Sequence, residues 1–346
     1  MQNNPEPEPA RRKVRIGIVC NRKTADAGPA ESADEEAEFD APETVQAIAG
    51  ALERHGAETV ILEAGRTLPQ RISDSGIDMV FNIAEGRNGR CREAQVPALL
   101  DMLGIPYTGS DAAAMCVSLD KIMCKRLVSA SGVRTAASVL IRSLKDIPDN
   151  LNYPVLIKPD AEGSGKGISE NCVAADRAEL EQLVEAALPS CGDLLAEEYL
   201  PGREFTVGIL GNGKDRKILP PMEILYKGNT QKNYKVYSFD VKCNYKKYVR
   251  YECPASLTAA RTAELSAAAG NVFDALGCAD VARADFRMDA EGRFCFLEIN
   301  PLPGLAPGYS DLPMIAEAAG IGYDELVCRI YEAACRRLGR SACELL

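Results

Sequence analysis

Residues 281–304, VARADFRMDAEGRFCFLEINPLPG, restrict the fold more than any other segment. Strand-forming stretches at Val281–Met288 and Phe294–Glu298 flank the turn Asp289–Gly292, so the segment reads as a hairpin. Asp285 falls on the first strand. Glu298 and Asn300 fall near the end of the second, two residues apart and therefore on one face. Three oxygen donors on paired strands, with positions left open, match Mg²⁺ held partly by substrate phosphates. Phe294, Phe296, Leu297 and Ile299 make this a buried face, where carboxylates need a cation or hydrogen bonds. A structural ion pair of these carboxylates with Arg283 or Arg287 is the competing reading.

A different pattern precedes it. Val14–Cys20, Glu58–Glu63 and Met79–Ile83 are short strand-like runs, and a helix opens at Pro42-Glu43 and ends near Gly56. Alternating strands and helices argue for parallel βαβ units. Residues 1–12 read as a disordered tail and 13–110 as an N-terminal α/β domain. Ser110 and Asp111 precede a long helical stretch, and strand material begins at Val133. Residues 111–190 read as a central unit with a glycine loop. Residues 191–346 read as a C-terminal unit with strands at Leu194–Glu198, Glu204–Leu210 and the hairpin. Tyr226–Tyr251, rich in Lys and Tyr, reads as a loop-bearing insertion or lid.

Composition narrows the chemistry. Lys plus Arg number 40 and Asp plus Glu 50, a net charge of -10 that disfavours nucleic acid and anionic membrane as partners. The 13 cysteines include no CxxC pair and read as reduced thiols of a cytoplasmic protein. The one histidine, His55, lies in the helical pattern Glu43–His55 and reads as a surface residue, so zinc sites and His-based triads start at a disadvantage. No leader-like apolar stretch opens the chain, and no apolar run approaches a bilayer span.

Three further segments carry chemistry. In Tyr153–Ser169, YPVLIKPDAEGSGKGIS, a strand ends at Lys158-Pro159 and the loop Gly163-Ser164-Gly165-Lys166-Gly167 follows. A strand lysine beside glycine-rich backbone suits a polyphosphate. The loop is not a Walker A motif, because Gly167 follows Lys166 where Ser or Thr is required. In LLAEEYLPGREFTV, Glu197 and Glu198 end a strand and suit a nucleotide base and ribose, or are two exposed glutamates. In SLDKIMCK, Lys121 and Lys125 are four apart on one helix face, which on its own reads as a solvated basic face.

In this order the segments resemble the ATP-grasp fold, and within it the D-alanine–D-alanine ligase family. The matching phrases are VFNIAEG, GIPYTGSD, LDKIMCKRL, YPVLIKPDAEGSGKGIS, YLPGREFTVGILGN, GCADVARADFRMDAEGRFCFLEINPLPG and LPMIAEAAGIGYDELV, spanning Val14 to about Leu338. The resemblance implies a three-domain α/β architecture with an N-terminal parallel-sheet domain ahead of the ATP-grasp units. It also implies an ATP-dependent ligase that makes an acyl phosphate from a carboxylate and then an amide from an amine. By resemblance, Lys121, Lys158 and Lys242 meet ATP phosphates, and Gly163, Ser164 and Gly165 close over them. Glu197 and the backbone of Glu198, Tyr199 and Leu200 meet the adenine, and Glu204 the ribose. Asp285, Glu298 and Asn300 hold two Mg²⁺, with Mn²⁺ as the substitute. Arg283 and the Gly304 N–H stabilise the oxyanion, and Ser310 falls near the second substrate's carboxylate. The family is commonly dimeric, which implies a homodimer.

Three departures bear on substrate. The family's glycine-rich turn with its amino-orienting glutamate is replaced by the acidic stretch Thr24–Asp40, with Glu36, Glu38 and Asp40 as candidates for that role. The His-Gly segment becomes Glu85–Glu93, where Glu85 replaces histidine and Arg90 and Arg92 replace acids. Those arginines suit a carboxylate clamp, or pair with Glu85 and Glu93. Cys243 replaces a tyrosine whose active-site contact falls to Tyr237 or Tyr245, or is lost. The expectation is a ligase for an amino acid or amino-acid-like small acid. A D-alanine–D-alanine ligase proper is the nearest rival; a non-catalytic ATP-binding module and a nucleic-acid binder using the Lys/Tyr segment Lys227–Tyr251 are more distant ones.

Overall fold

The computed structural model describes residues 12–23, 38–162, 172–230, 234–238, 241–242 and 244–340. Three sheets are laid out in chain order. In the first, β1 (Arg15–Cys20) lies between β2 (Glu58–Glu63) and β3 (Met79–Ile83), parallel to both. β1 and β3 are almost wholly buried runs, as a sheet covered on both faces requires. The helix Pro42–Arg54 crosses over between β1 and β2, with proline in its first turn and six buried positions along one face.

The second sheet is antiparallel, with the order β4 (Ser138–Ile141), β7 (Leu194–Glu198), β5 (Val155–Pro159), β6 (Val173–Ala174). β7, grouped by sequence with the C-terminal unit, therefore hydrogen-bonds in the middle sheet. Its partners come from the preceding segment, which local pattern does not reveal. The third sheet runs β11 (Val249–Glu252), β10 (Met222–Tyr226), β8 (Glu204–Leu210), β12 (Val281–Met288), β13 (Phe294–Asn300), and β9 (Lys217–Ile218) pairs with β8. The strand material expected from Val133 begins at Ser138, preceded by a single bridge between Thr135 and Phe296.

The long helix expected after Asp111 is broken at Asp120 into Ala112–Leu119 and Lys121–Ala130. Asp120 is extended and caps the second helix, accepting the Met123 N–H at 2.9 Å. The Asp160 carboxylate, just beyond β5, accepts the Ile122 N–H at 2.9 Å. These two contacts hold the start of that helix against the end of β5. Part of the expected lid segment is regular: β11 pairs antiparallel with β10, preceded by the single turn Tyr245–Tyr248.

One core joins the two ends of the chain. Residues of β1, β3 and helix Pro42–Arg54 pack with Leu326, Ile330, Tyr331 and Ala334 of the C-terminal helix Tyr323–Arg337. Arg54 crosses to Asp324 at 2.6 Å. His55 caps the first helix, half-buried, 3.8 Å from Glu332. The eleven described cysteines are all free thiols. No helix among the described residues is long and apolar enough to cross a membrane.

Candidate active site

A cavity lies between the second and third sheets. Apolar walls come from Leu156, Leu200, Ile224, Val236 and Leu297, between charged groups from both sheets. Residues two apart on a strand face the same side, so alternate positions of each strand line the cavity.

The hairpin supplies the acidic face. β12 and β13 are in register with Asp285 opposite Glu298 and Arg283 opposite Asn300. The register shifts between Asp285 and Phe286, a bulge directly beside the paired carboxylates. Burial pushes the Asp285 carboxyl upward, against the pull of Arg283, which forks onto it at 2.9 and 3.1 Å. The ion-pair reading of Asp285 with Arg283 is thus realised. Arg283 also reaches Asp311 at 3.6 Å, and its buried guanidinium is held more firmly charged than usual by these acids. Burial disfavours the charged form of Glu298, but Lys121 and Lys158 outweigh it and lower its pKa. Asn300 Oδ1 accepts the Leu302 N–H at 2.9 Å, which fixes its amide. Among the described residues no three His, Cys, Asp or Glu side chains form a preformed metal cluster. Two carboxylates and an amide oxygen on one hairpin, open to a cavity, fit a hard cation that takes its remaining oxygens from a ligand.

The basic face lies opposite. Lys158 of β5 and Lys125 of helix Lys121–Ala130 both contact Glu197 of β7, at 2.7 and 2.9 Å, with all three side chains almost wholly buried. Burial opposes ionisation of Glu197, yet the two lysines hold its pKa down at about 2. Lys121 lies 3.9 Å from Glu298 and donates to the carbonyl of Glu162. The solvated basic face expected for Lys121 and Lys125 is therefore corrected. The helix packs against β13 and β4, and both ammonium groups turn inward. Glu197 is likewise no exposed glutamate, whereas Glu198 is exposed.

At the far end Glu204 accepts from Tyr226 at 2.9 Å and from Arg287 at 3.1 Å. Burial raises its pKa despite Arg287. The Arg287 guanidinium lies over the Tyr199 ring, 5.1 Å from its centroid. Arg287, offered by the sequence as an ion-pair partner of the hairpin carboxylates, pairs with Glu204 instead, and Tyr226 drew no reading of its own beyond its place at the start of the Lys/Tyr segment. The one signal for Lys125 was its place four residues from Lys121.

A second cavity continues outward. It is lined by Lys242, Arg283, Asn300, Gly304 and Ser310, and also by Glu38, Asp40 and Glu85. A Cβ built on Gly304 would lie 2.8 Å from Ser310 Oγ, so a larger residue there would displace the Ser310 hydroxyl. Ser310 Oγ accepts the Ala306 N–H at 3.1 Å. Lys242 lines both cavities, and burial lowers its pKa with help from Arg283. Tyr237 and Tyr245, the candidates to replace the tyrosine at Cys243, both line this outer space, and the two hydroxyls of Tyr237 and Tyr251 are 2.6 Å apart.

The two arginines of the Glu85–Glu93 segment behave otherwise than expected. Arg90 pairs with Asp120. Arg92 is buried and forks onto Glu38 at 2.9 Å, with Glu162 at 3.2 Å and the Ala161 carbonyl at 2.9 Å. Neither pairs with Glu85 or Glu93, the alternative that the sequence offered; their carboxylate partners are Asp120 for Arg90 and Glu38 with Glu162 for Arg92. Tertiary neighbours from residues 38, 120 and 162 decide this. Gly163, Ser164 and Gly165, with Glu36 and Cys243, lie outside the described residues.

The family described as D-ala D-ala ligase C-terminus matches residues 128–332. The D-alanine--D-alanine ligase of Bordetella petrii is 35% identical over 286 residues, covering 81% of this chain and 83% of the relative. That of Syntrophotalea carbinolica is 34% identical over 296 residues, covering 85% and 91%. The chain belongs to the D-alanine–D-alanine ligase family. Its fold agrees. The Bacillus anthracis D-alanine--D-alanine ligase complexed with ATP superposes with a TM-score of 0.73 at 23% identity, covering 94% of this chain and 98% of that one. The VanG D-Ala:D-Ser ligase of Enterococcus faecalis gives 0.70 at 19% identity, covering 93% and 100%. The ligase is thus an ATP-dependent, ATP-grasp enzyme acting on small molecules.

Proposed function

We propose that this ligase joins a carboxylate to an amine through an acyl phosphate, with an amino acid or amino-acid-like small acid as substrate. The observation that carries the reading is one cavity with Lys121 and Lys158 facing Asp285, Glu298 and Asn300, and a second cavity opening beyond Arg283. In the first step a carboxylate oxygen attacks the γ-phosphorus of ATP. The bond from that phosphorus to the β-bridging oxygen breaks, and ADP leaves. In the second step the amine nitrogen attacks the acyl carbon. The carbon–oxygen bond to phosphate breaks, the nitrogen loses a proton to solvent, and phosphate departs.

The chain's own groups divide this work. Lys121, Lys158 and Lys242 neutralise phosphate oxygens, and Gly163, Ser164 and Gly165 cover them. The apolar walls with Glu198, Tyr199 and Leu200 take the base, and Glu204 takes the ribose with Oε1, its Oε2 being held by Tyr226 and Arg287. Glu197 acts by holding Lys158 in place as well as by facing the base. Arg283 and the Gly304 N–H face the oxyanion, and Ser310 faces a substrate carboxylate. Asp285, Glu298 and Asn300 would hold Mg²⁺, with Mn²⁺ as substitute, and the cation supplies charge neutralisation between phosphates.

A second reading keeps the mechanism and makes both substrates D-alanine. The relatives at 34 and 35% identity favour it. The rebuilt Glu85–Glu93 segment favours another substrate. ADP release measured over a matrix of carboxylate and amine pairs, with product mass, decides between them. Turnover with D-alanine alone at the rate of a cell-wall enzyme would establish the second reading. Glu298→Gln is expected to reduce turnover at least a hundredfold, about 2.7 kcal/mol of barrier, by losing the cation. Near-normal activity in that variant would remove the metal assignment. No ADP release across the whole matrix would leave an ATP-binding module.

A further inference from the structure

The outer cavity holds more acid than the described residues neutralise. Glu85 and Asp40 line it, and Glu93 lines the inner cavity beside it, 7% exposed. Among the described residues, none of these three carboxylates has a hydrogen-bond or ion-pair partner within 4 Å; only longer-range charges act on them. The nearby cations are engaged elsewhere. Arg92 is held by Glu38 and Glu162, Arg90 by Asp120, and Arg283 by Asp285 and Asp311. Lys23 lies beside Asp40, and Lys242 lines both cavities, where Glu85 reaches it only as a longer-range charge after Arg283, Asp311 and Glu298.

The opposite wall is aromatic. Tyr237, Tyr245, Tyr251 and Tyr309 line the same cavity, and the Tyr245 ring is 5.5 Å from that of Tyr251 and 6.1 Å from that of Tyr309. Ring faces beside carboxylates favour ammonium and guanidinium groups, and phenol oxygens accept their hydrogens.

Resting on the ligase reading above, we propose that this cavity selects a substrate with a positive charge beyond its reacting group. The class is a basic amino acid, its side-chain ammonium or guanidinium seated between Glu85, Asp40 and the tyrosines. A single α-ammonium answers one carboxylate, and here Glu85 and Asp40 both stand without a partner among the described residues. An unpartnered buried carboxylate is unfavourable in the empty protein, and an incoming cation relieves it. Burial and the neighbouring Glu93, Glu38 and Asp40 push the Glu85 carboxyl well above the usual range, and burial brings Glu93 and Asp40 up to about 7.

The test uses the full chain with ATP and Mg²⁺ and compares amino acids matched in size but not in charge. Lysine is set against norleucine and arginine against citrulline, in both enantiomers, each offered with a panel of partner amino acids. ADP release is read for every pair. Calorimetry with a non-hydrolysable ATP analogue reads binding without turnover. The charged member is expected to exceed its neutral match about tenfold or more in kcat/KM and in affinity. Glu85→Gln should bring that ratio toward one while the unfolding midpoint stays unchanged or rises, and Asp40→Asn should do the same in part. Equal or weaker use of the charged members, absence of lysine and arginine binding, or a ratio unmoved in both variants would each overturn the inference. If no pair releases ADP, the ligase reading fails. The calorimetric ratio then still decides what the cavity selects.

Discussion

Glu197 shows how much one side chain can organise. Its two oxygens engage Lys158 and Lys125, from different elements, so one buried carboxylate fixes two buried cations. Removing one partner of such a set leaves uncompensated charge in the interior. Glu197→Gln is expected to lower stability by about 3 kcal/mol or more in denaturant unfolding, with a rise in KM for ATP. The sign of the pH dependence follows from its depressed pKa. The stabilisation is present above the ordinary value of 4.5 and is lost as pH falls toward about 2. The wild-type protein should therefore lose stability steeply over that acid range, and the glutamine variant should show a shallower limb. Lys125 was legible only as half of an i, i+4 pair, because sequence spacing does not say whether a helix face is covered.

The loop Glu85–Glu93 and the hairpin β12–β13 differ as elements in how far local sequence determines them. In the hairpin, turn residues and strand spacing set the register, and Asp285, Glu298 and Asn300 fall on the expected face. The loop is fixed by close backbone approach. Gly86 has φ +74, and a Cβ there would lie 2.1 Å from the Arg92 carbonyl oxygen. Gly89 has φ +89 and open space around it. Gly86→Ala should therefore cost clearly more than Gly89→Ala, whose penalty is the left-handed backbone alone, about 1–2 kcal/mol. Urea unfolding of the two variants checks the difference. Gly86→Ala should also raise KM for the amino substrate, because it shifts Glu85 and Arg92 together. Equal destabilisation of the two variants would mean that the loop relaxes freely.

Asp280 ties the whole molecule together. It is fully buried, with φ 66, and its carboxylate accepts from the Gly109 N–H, Asn212 and Arg337. These partners belong to the turn after the first sheet, the end of β8 and the C-terminal helix. Arg337→Met is expected to cost about 3 kcal/mol by stranding that carboxylate. The same contacts relate the first sheet to the third, so the variant should also open the outer cavity to faster hydrogen exchange at β3 and helix Tyr323–Arg337. Exchange confined to the helix terminus would show that Asp280 braces only its own strand.

By itself the sequence determined the βαβ start, the hairpin that carries the oxygen donors, the lysine at the end of β5 and the family. Each depends on neighbours close in the chain, where strand period, turn chemistry and residue order act directly. Tertiary structure alone decided that β7 joins the middle sheet, that Lys125 is buried on Glu197, and that Arg90 and Arg92 are taken up by Asp120 and Glu38. It also decided that Glu85 and Asp40 line one outer cavity with Tyr237, Tyr245, Tyr251 and Tyr309. The reason is physical. The free energy of a charged side chain depends on which opposite charge folding brings within a few ångströms, and that partner lies 30, 54 or 72 residues away in the chain.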